Sequence, residues 1–99
     1  MIIHAVFLLP KPEATTEELQ AVMQKAKALK EKIPGIVSVQ AGENQNPNNQ
    51  GYSYGIFFTF TNEEHLKAYF PHPEHRAVGA ELRRLSVNLL NFDIPEEAS

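Results

Sequence analysis

No cysteine occurs among the 99 residues, which removes disulfides, thiolate nucleophiles and cysteine-type zinc sites together and leaves stability to packing. Concentrated basic charge is missing as well. Nine Lys and Arg are scattered against twelve Asp and Glu, for a net charge of −3, whereas nucleic-acid binding needs a basic face that neutralises several phosphates. No nucleic-acid partner is expected. Apolar runs stay short of a bilayer's width. The longest, Ile2 to Leu9, has no basic residue ahead of it and carries His4 inside it, so it reads as a strand and not as a leader or an anchor, and no membrane partner is expected. Also absent are a Gly-rich phosphate loop, a Gly-x-Ser-x-Gly elbow and a dinucleotide fingerprint, so no cofactor is expected. What remains, 42% hydrophobic and 21% charged, describes one globular domain. We take it as residues 1–95 with a short acidic tail over 96–99, and expect it in the cytoplasm.

Ile2 to Leu9 is apolar on both sides of the strand alternation, as a mid-sheet strand should be. Thr15 and Glu18 form a capping-box pattern ahead of Leu19, Val22, Met23, Ala26 and Leu29, which recur at helical spacing as far as Pro34-Gly35. A second strand over Ile36–Ala41, with Val37, Val39 and Ala41 on one side, leads into a polar loop over Gly42–Gly51 that is expected to be mobile. Tyr54–Phe60 alternates as a third strand. Thr61 with Glu64 repeats the capping box before Leu66 and Tyr69, and Val87–Ile94 is the last strand. The order βαββαβ favours an α+β fold, an antiparallel sheet with helices on one face in a ferredoxin-like arrangement. The other face, with Ile3, Ala5, Phe7, Leu9, Phe57, Thr59, Leu90 and Phe92, is too apolar for water and calls for a second copy of the chain.

Two imidazoles and a phenol crowd the segment Tyr69-Phe70-Pro71-His72-Pro73-Glu74-His75. Pro71 should end one helix and Pro73, with fixed φ and no N–H, should start the next, leaving His72 at the cap. His75 then shares a stripe with Val78, Leu82 and Leu85 and points inward, where it either exchanges protons with Tyr69 nearby or simply packs. His4 lies on one side of the first strand with Val6 and Leu8, and Asn91 and Asp93 lie on one side of the last with Val87 and Leu89. Turning those sides toward the helices collects His4, Tyr54, Leu89, Asn91 and Asp93 with Tyr69, His75, Val78 and Leu82 around one small-molecule cavity. His65, the remaining histidine, is expected to face water, and no metal site is expected from the histidines.

Several stretches resemble the stress-responsive dimeric α/β-barrel (Dabb) family: the opening Ile-Ile-His-Ala-Val-Phe, Gly51-Tyr52, Phe58-Thr59-Phe60, Tyr69 to His75, and the closing Leu89-Leu90-Asn91-Phe92-Asp93. The resemblance covers nearly the whole chain, and its most specific element is His72-Pro73-x-His75 after a helical tyrosine. It implies a ferredoxin-like protomer whose sheet pairs with a partner's to form a dimeric α/β barrel, with a cavity between sheet and helices. One branch, of plant polyketide cyclases, implies His75 as base and Tyr69 as its partner; after His75 this chain departs from it, with Arg76-Ala77-Val78-Gly79-Ala80 in place of a Gly-rich continuation. Two functional readings follow. In one, a homodimer binds a small aromatic or polyketide-like molecule and acts as a cofactor-independent cyclase, lyase or isomerase. In the other, it is a non-catalytic stress-response or assembly protein whose main activity is self-association.

Overall fold

The structure is a computed structural model that describes residues 1–96; the remainder of the acidic tail lies outside the described residues. Four strands, β1 (Ile2–Pro10), β2 (Ile36–Glu43), β3 (Tyr54–Phe60) and β4 (Ser86–Pro95), alternate with α1 (Thr16–Ala28), α2 (Glu63–Tyr69) and α3 (Pro73–Leu85). The sheet is antiparallel throughout in the order β2-β3-β1-β4, which is the expected ferredoxin-like βαββαβ protomer with its second helix split. β1 and β3 are the two interior strands, and β1, apolar on both sides, pairs along both edges. Its partners extend along its whole length, from Ile2 opposite Phe60 and Pro95 to Leu8 opposite Tyr54 and Leu89. Beyond that pairing, the Glu96 N–H still donates to the Met1 carbonyl at 2.9 Å, so the ladder runs past Pro95.

Helix α1 starts where the capping box requires. The Thr15 hydroxyl accepts from the Glu18 N–H, and the Glu18 carboxylate accepts from the Thr15 N–H, each at 3.1 Å. Its apolar stripe, Leu19, Val22, Met23 and Ala26, meets Val78, Leu82 and Leu85 of α3 and the sheet residues Val6, Leu8, Ile56, Phe58 and Phe60 in one buried core. Full burial of each large apolar side chain there stabilises the fold by about 1.5–3 kcal/mol.

Helix α2 is capped one residue later than its sequence suggests. Asn62, not Thr61, accepts from the His65 N–H, at 2.9 Å. Thr61 is held elsewhere: its N–H and its hydroxyl both donate to the Gly35 carbonyl, at 2.9 and 3.0 Å. A long-range tie thus overrides a local capping pattern. Gly35 itself has φ +92°, and a Cβ there would run into the His65 ring. For the same reason His65 is half-buried against Gly35 and does not simply face water.

Two bulges correct the expected strand faces. Ile36 opposes Phe60 while Ser38 opposes Thr59, which leaves Val37 as the extra residue, turned out to solvent, with Val39 and Ala41 on the helix side. Likewise Leu9 opposes Asn88 and Pro10 opposes Ser86, so Val87 is the extra, exposed residue and does not share the side of Leu89. On the face away from the helices, Ile3, Ala5 and Phe7 are flanked in register by Thr59, Phe57, Ile94, Phe92 and Leu90. Phe57, Leu90, Phe92 and Ile94 are 44% to 52% exposed, a contiguous apolar surface of the kind that marks an interface.

Gly35→Ala should cost about 2 kcal/mol, from the left-handed backbone and the collision with His65 together. In a His65→Ala background the collision disappears and the backbone strain stays, so a double-mutant cycle read by chemical denaturation should show a coupling of about 1 kcal/mol. A cycle with no coupling would contradict the contact.

Candidate functional site

The break between α2 and α3 is chemically specific. Pro71 and Pro73 have no N–H to offer the last carbonyls of α2. The Glu74 N–H, the donor that a continuous helix would send to the Phe70 carbonyl, instead goes to His72 Nδ1 at 3.1 Å, so His72 caps α3 as expected, with Pro73 in its first turn. The Phe70 carbonyl is left to the His75 ring, whose Nδ1 lies 2.9 Å away. A carbonyl only accepts, so Nδ1 carries the proton and the Nε2 lone pair is presented as a base. Burial lowers the His75 pKa below its usual 6.5, and the nearby charges of His4, Arg83 and His72 act the same way, against the opposing pull of the Phe70 bond. The ring is therefore neutral at neutral pH.

Tyr69 closes α2 and is 2% exposed. Its ring centroid lies 4.1 Å from that of His75, 5.0 Å from Phe60 and 5.3 Å from Phe58. Burial pushes its phenol well above the usual range, so the group stays protonated and keeps an O–H that no described residue accepts. On its other side, at 5.9 Å, stands His4. This residue is also 2% exposed, stacks on Phe58 at 5.7 Å, and directs Nδ1 to Asp93 Oδ1 at 2.5 Å. The pairing follows from sheet register, in which His4 sits opposite Asp93. The carboxylate only accepts, so His4 Nδ1 is the donor of this bond. Two imidazoles thus flank one protonated phenol, each oriented through its Nδ1.

Not every candidate joins this cluster. His4, Tyr69, His75 and Asp93 are brought together, and Val78 is buried one turn beyond His75. Leu82 is buried seven residues from His75, about 10 Å along α3. Leu89 is half-buried against the core opposite Leu8, and Asn91 is exposed opposite Val6. Tyr54 is set apart. It opposes Leu8, four strand positions or about 13 Å from Phe58, and its hydroxyl donates to Glu43 at 3.4 Å. Among the described residues no three His, Asp or Glu side chains converge on a metal position, and no helix is long and apolar enough to cross a membrane.

One feature escaped the sequence reading. A groove of about 610 Å³ lies on the far side of the sheet, floored by Phe7, Phe57 and Leu90 and walled by the polar loop between β2 and β3. Gly42 and Gly55 oppose each other there, with open space over Gly42 and the Phe7 ring against Gly55; glycines at outward strand positions were the available signal. That loop carries its own side-chain-to-backbone hydrogen bonds. Asn44, Asn46 and Asn49 side chains accept from the N–H groups of Asn46, Asn48 and Gly51 at 2.8 to 3.0 Å.

Comparison with known proteins places this arrangement. A dimeric ferredoxin-like protein from Jannaschia sp. CCS1 is 28% identical, with a TM-score of 0.85 over 96% of this chain and 98% of the other. Another, from Bacteroides fragilis NCTC 9343, is 29% identical, with a TM-score of 0.75 over 94% and 93%. Hydroxynitrile lyase from Passiflora edulis, 17% identical, has a TM-score of 0.82 over 99% and 96% and shares the fold. No curated protein matches significantly. The family model of the stress-responsive A/B barrel domain matches residues 2–96, and the chain belongs to that family, Dabb.

Proposed function

We propose that the protein is a homodimer, joined through the apolar sheet face, that binds a small aromatic or polyketide-like molecule beside Tyr69 and His75 and moves a proton on it without a cofactor. The observation that carries the reading is the pair of Nδ1-anchored imidazoles flanking a phenol that stays protonated. In this reading His75 Nε2 takes a proton from carbon next to a carbonyl, or from a phenolic oxygen. The Tyr69 O–H donates to the oxygen on which negative charge develops, and stabilising that charge lowers the barrel's barrier to reaction. The proton held on His75 Nε2 is then returned from there to another atom of the same molecule, while His4, held by Asp93, lines the site as a second oriented imidazole. Such steps suit an aldol-type cyclisation, an isomerisation or a lyase reaction. The fold of the Passiflora hydroxynitrile lyase supports a framework compatible with lyase chemistry.

Self-association supports a second reading, a non-catalytic stress-response or assembly protein. It is favoured by the placement of the 610 Å³ groove and the exposed Phe57 and Leu90 on the sheet face and not beside His75. Two copies packed through that face would bury roughly 2,000 Å² or more in total, the range of obligate dimers. The dimeric relatives from Jannaschia and Bacteroides support the pairing.

Sedimentation at low micromolar concentration should show a dimer, and Phe7→Asp should yield monomers with exposed apolar surface; a stable wild-type monomer would overturn the interface. Tyr69→Phe should change stability by less than about 1 kcal/mol, since the described residues give its hydroxyl no hydrogen-bond partner. His75→Ala should cost about 1–2 kcal/mol. Both should weaken binding or turnover of aromatic ligands found by screening. Melts that collapse, or ligand binding and turnover that survive both changes, would make these residues structural.

Protonation gives an independent sign. His75 has its folded pKa depressed below the unfolded 6.5, so the unfolded chain binds the extra proton first and stability falls as pH drops through 6.5 toward the folded value. His75→Ala should flatten that slope in denaturation measured across pH. Any kcat/KM profile should lose activity on an acid limb lying below pH 6.5, where His75 becomes charged.

A further inference from the structure

The Phe70 side chain has no role in the chemistry above, yet its ring stands against His4, Tyr69 and His75 together. Its centroid is 5.4 Å from His4, 5.6 Å from Tyr69 and 5.8 Å from His75, at interplanar angles of 86°, 65° and 79°. Unlike His4 and Tyr69, which are sealed, the Phe70 side chain is 42% exposed. It stands at the boundary between solvent and the site. Main chain and side chain are held very differently. The carbonyl is fixed by His75 Nδ1 and the residue keeps helical φ and ψ of −57° and −44°, whereas the ring has no hydrogen bond and its aromatic neighbours are the three site rings. An exposed ring can turn about χ1 on a fast timescale while the backbone bond that fixes the His75 tautomer stays in place.

We propose that Phe70 is the mobile wall of the site and an internal stand-in for the ligand: its phenyl ring occupies the position over His4, Tyr69 and His75 that a planar aromatic molecule takes when the ring swings outward. Phe70 thereby selects for flat, apolar ligands and, in their absence, shields buried His4 and partly shields half-buried His75. The ligand's class rests on the site reading given above, but the shielding does not, and the two are separable by experiment.

Diethyl pyrocarbonate, which acylates neutral imidazole nitrogen, reads the shielding at each of the four histidines when modified peptides are followed by mass spectrometry. In Phe70→Ala, His4 and His75 should react about tenfold faster than in the wild type, while His65 and His72 stay within about twofold. Phenol at millimolar concentration should fill the vacated position and restore protection of His4 and His75. Phe70→Leu, which keeps an apolar group there, should give an intermediate rate with a native melting curve. Unchanged rates at His4 and His75 in Phe70→Ala, equal acceleration at all four histidines, or acceleration that phenol does not reverse would each overturn the proposal. Shielding that holds while His75→Ala leaves ligand binding and turnover intact would instead count against the catalytic reading alone.

Discussion

Everything distinctive about the site depends on one orphaned carbonyl. Pro71 and Pro73 remove two backbone donors in three residues, and His72 takes the Glu74 N–H for itself. The Phe70 oxygen has no backbone donor within reach along the helix, and the His75 ring donates to it at 2.9 Å. A hydrogen bond of this kind contributes about 0.5–1.5 kcal/mol net, which favours one orientation and one tautomer of the imidazole. A rule of helix termination thus becomes a rule about where a proton sits. The same short turn places Tyr69 at the end of one helix and His75 early in the next, with their rings 4.1 Å apart.

The second determinant is the central strand. Because β1 is apolar on both sides, its alternation divides the molecule's tasks between two faces: Ile2, His4, Val6 and Leu8 toward the helices, Ile3, Ala5 and Phe7 toward the open side. The only ionisable side chain on β1, His4, falls on the helix side, and the register supplies Asp93 directly opposite. Asp93 lies on an edge strand with its side chain 43% exposed. The carboxylate can therefore stay solvated while orienting a buried imidazole, a cheaper arrangement than burying both charges. In the proposed dimer the opposite face is covered by a second copy, so assembly and chemistry would use alternate residues of the same strand.

Much of this was legible from residue order. Period-two and helical patterns located all four strands and the helices, the two prolines located the break, and His72 as a cap followed from Pro73 beside it. The strand sides of His4 and Asp93 also matched, because an unbulged ladder preserves alternation between them. Where a bulge intervenes the pattern misleads, as Val37 and Val87 show: each is the inserted residue and turns outward. Thr61 misled for another reason, since its donors are taken by Gly35, 26 residues away, a contact no local pattern encodes. Tyr54 shares the helix side but sits at the wrong end of its strand, which alternation cannot report. The groove at Gly42 and Gly55, and the position of Phe70 over three polar rings, arise from tertiary approach alone.

The central claim is the protonation pattern of the histidines, and nitrogen chemical shifts of the imidazole rings in labelled protein at neutral pH test it directly. His75 should show a protonated Nδ1 and an unprotonated Nε2. His72, whose Nδ1 accepts from the Glu74 N–H, should show the reverse and serves as the internal control. A His75 that is protonated on Nε2, doubly protonated, or averaged between tautomers would contradict the account.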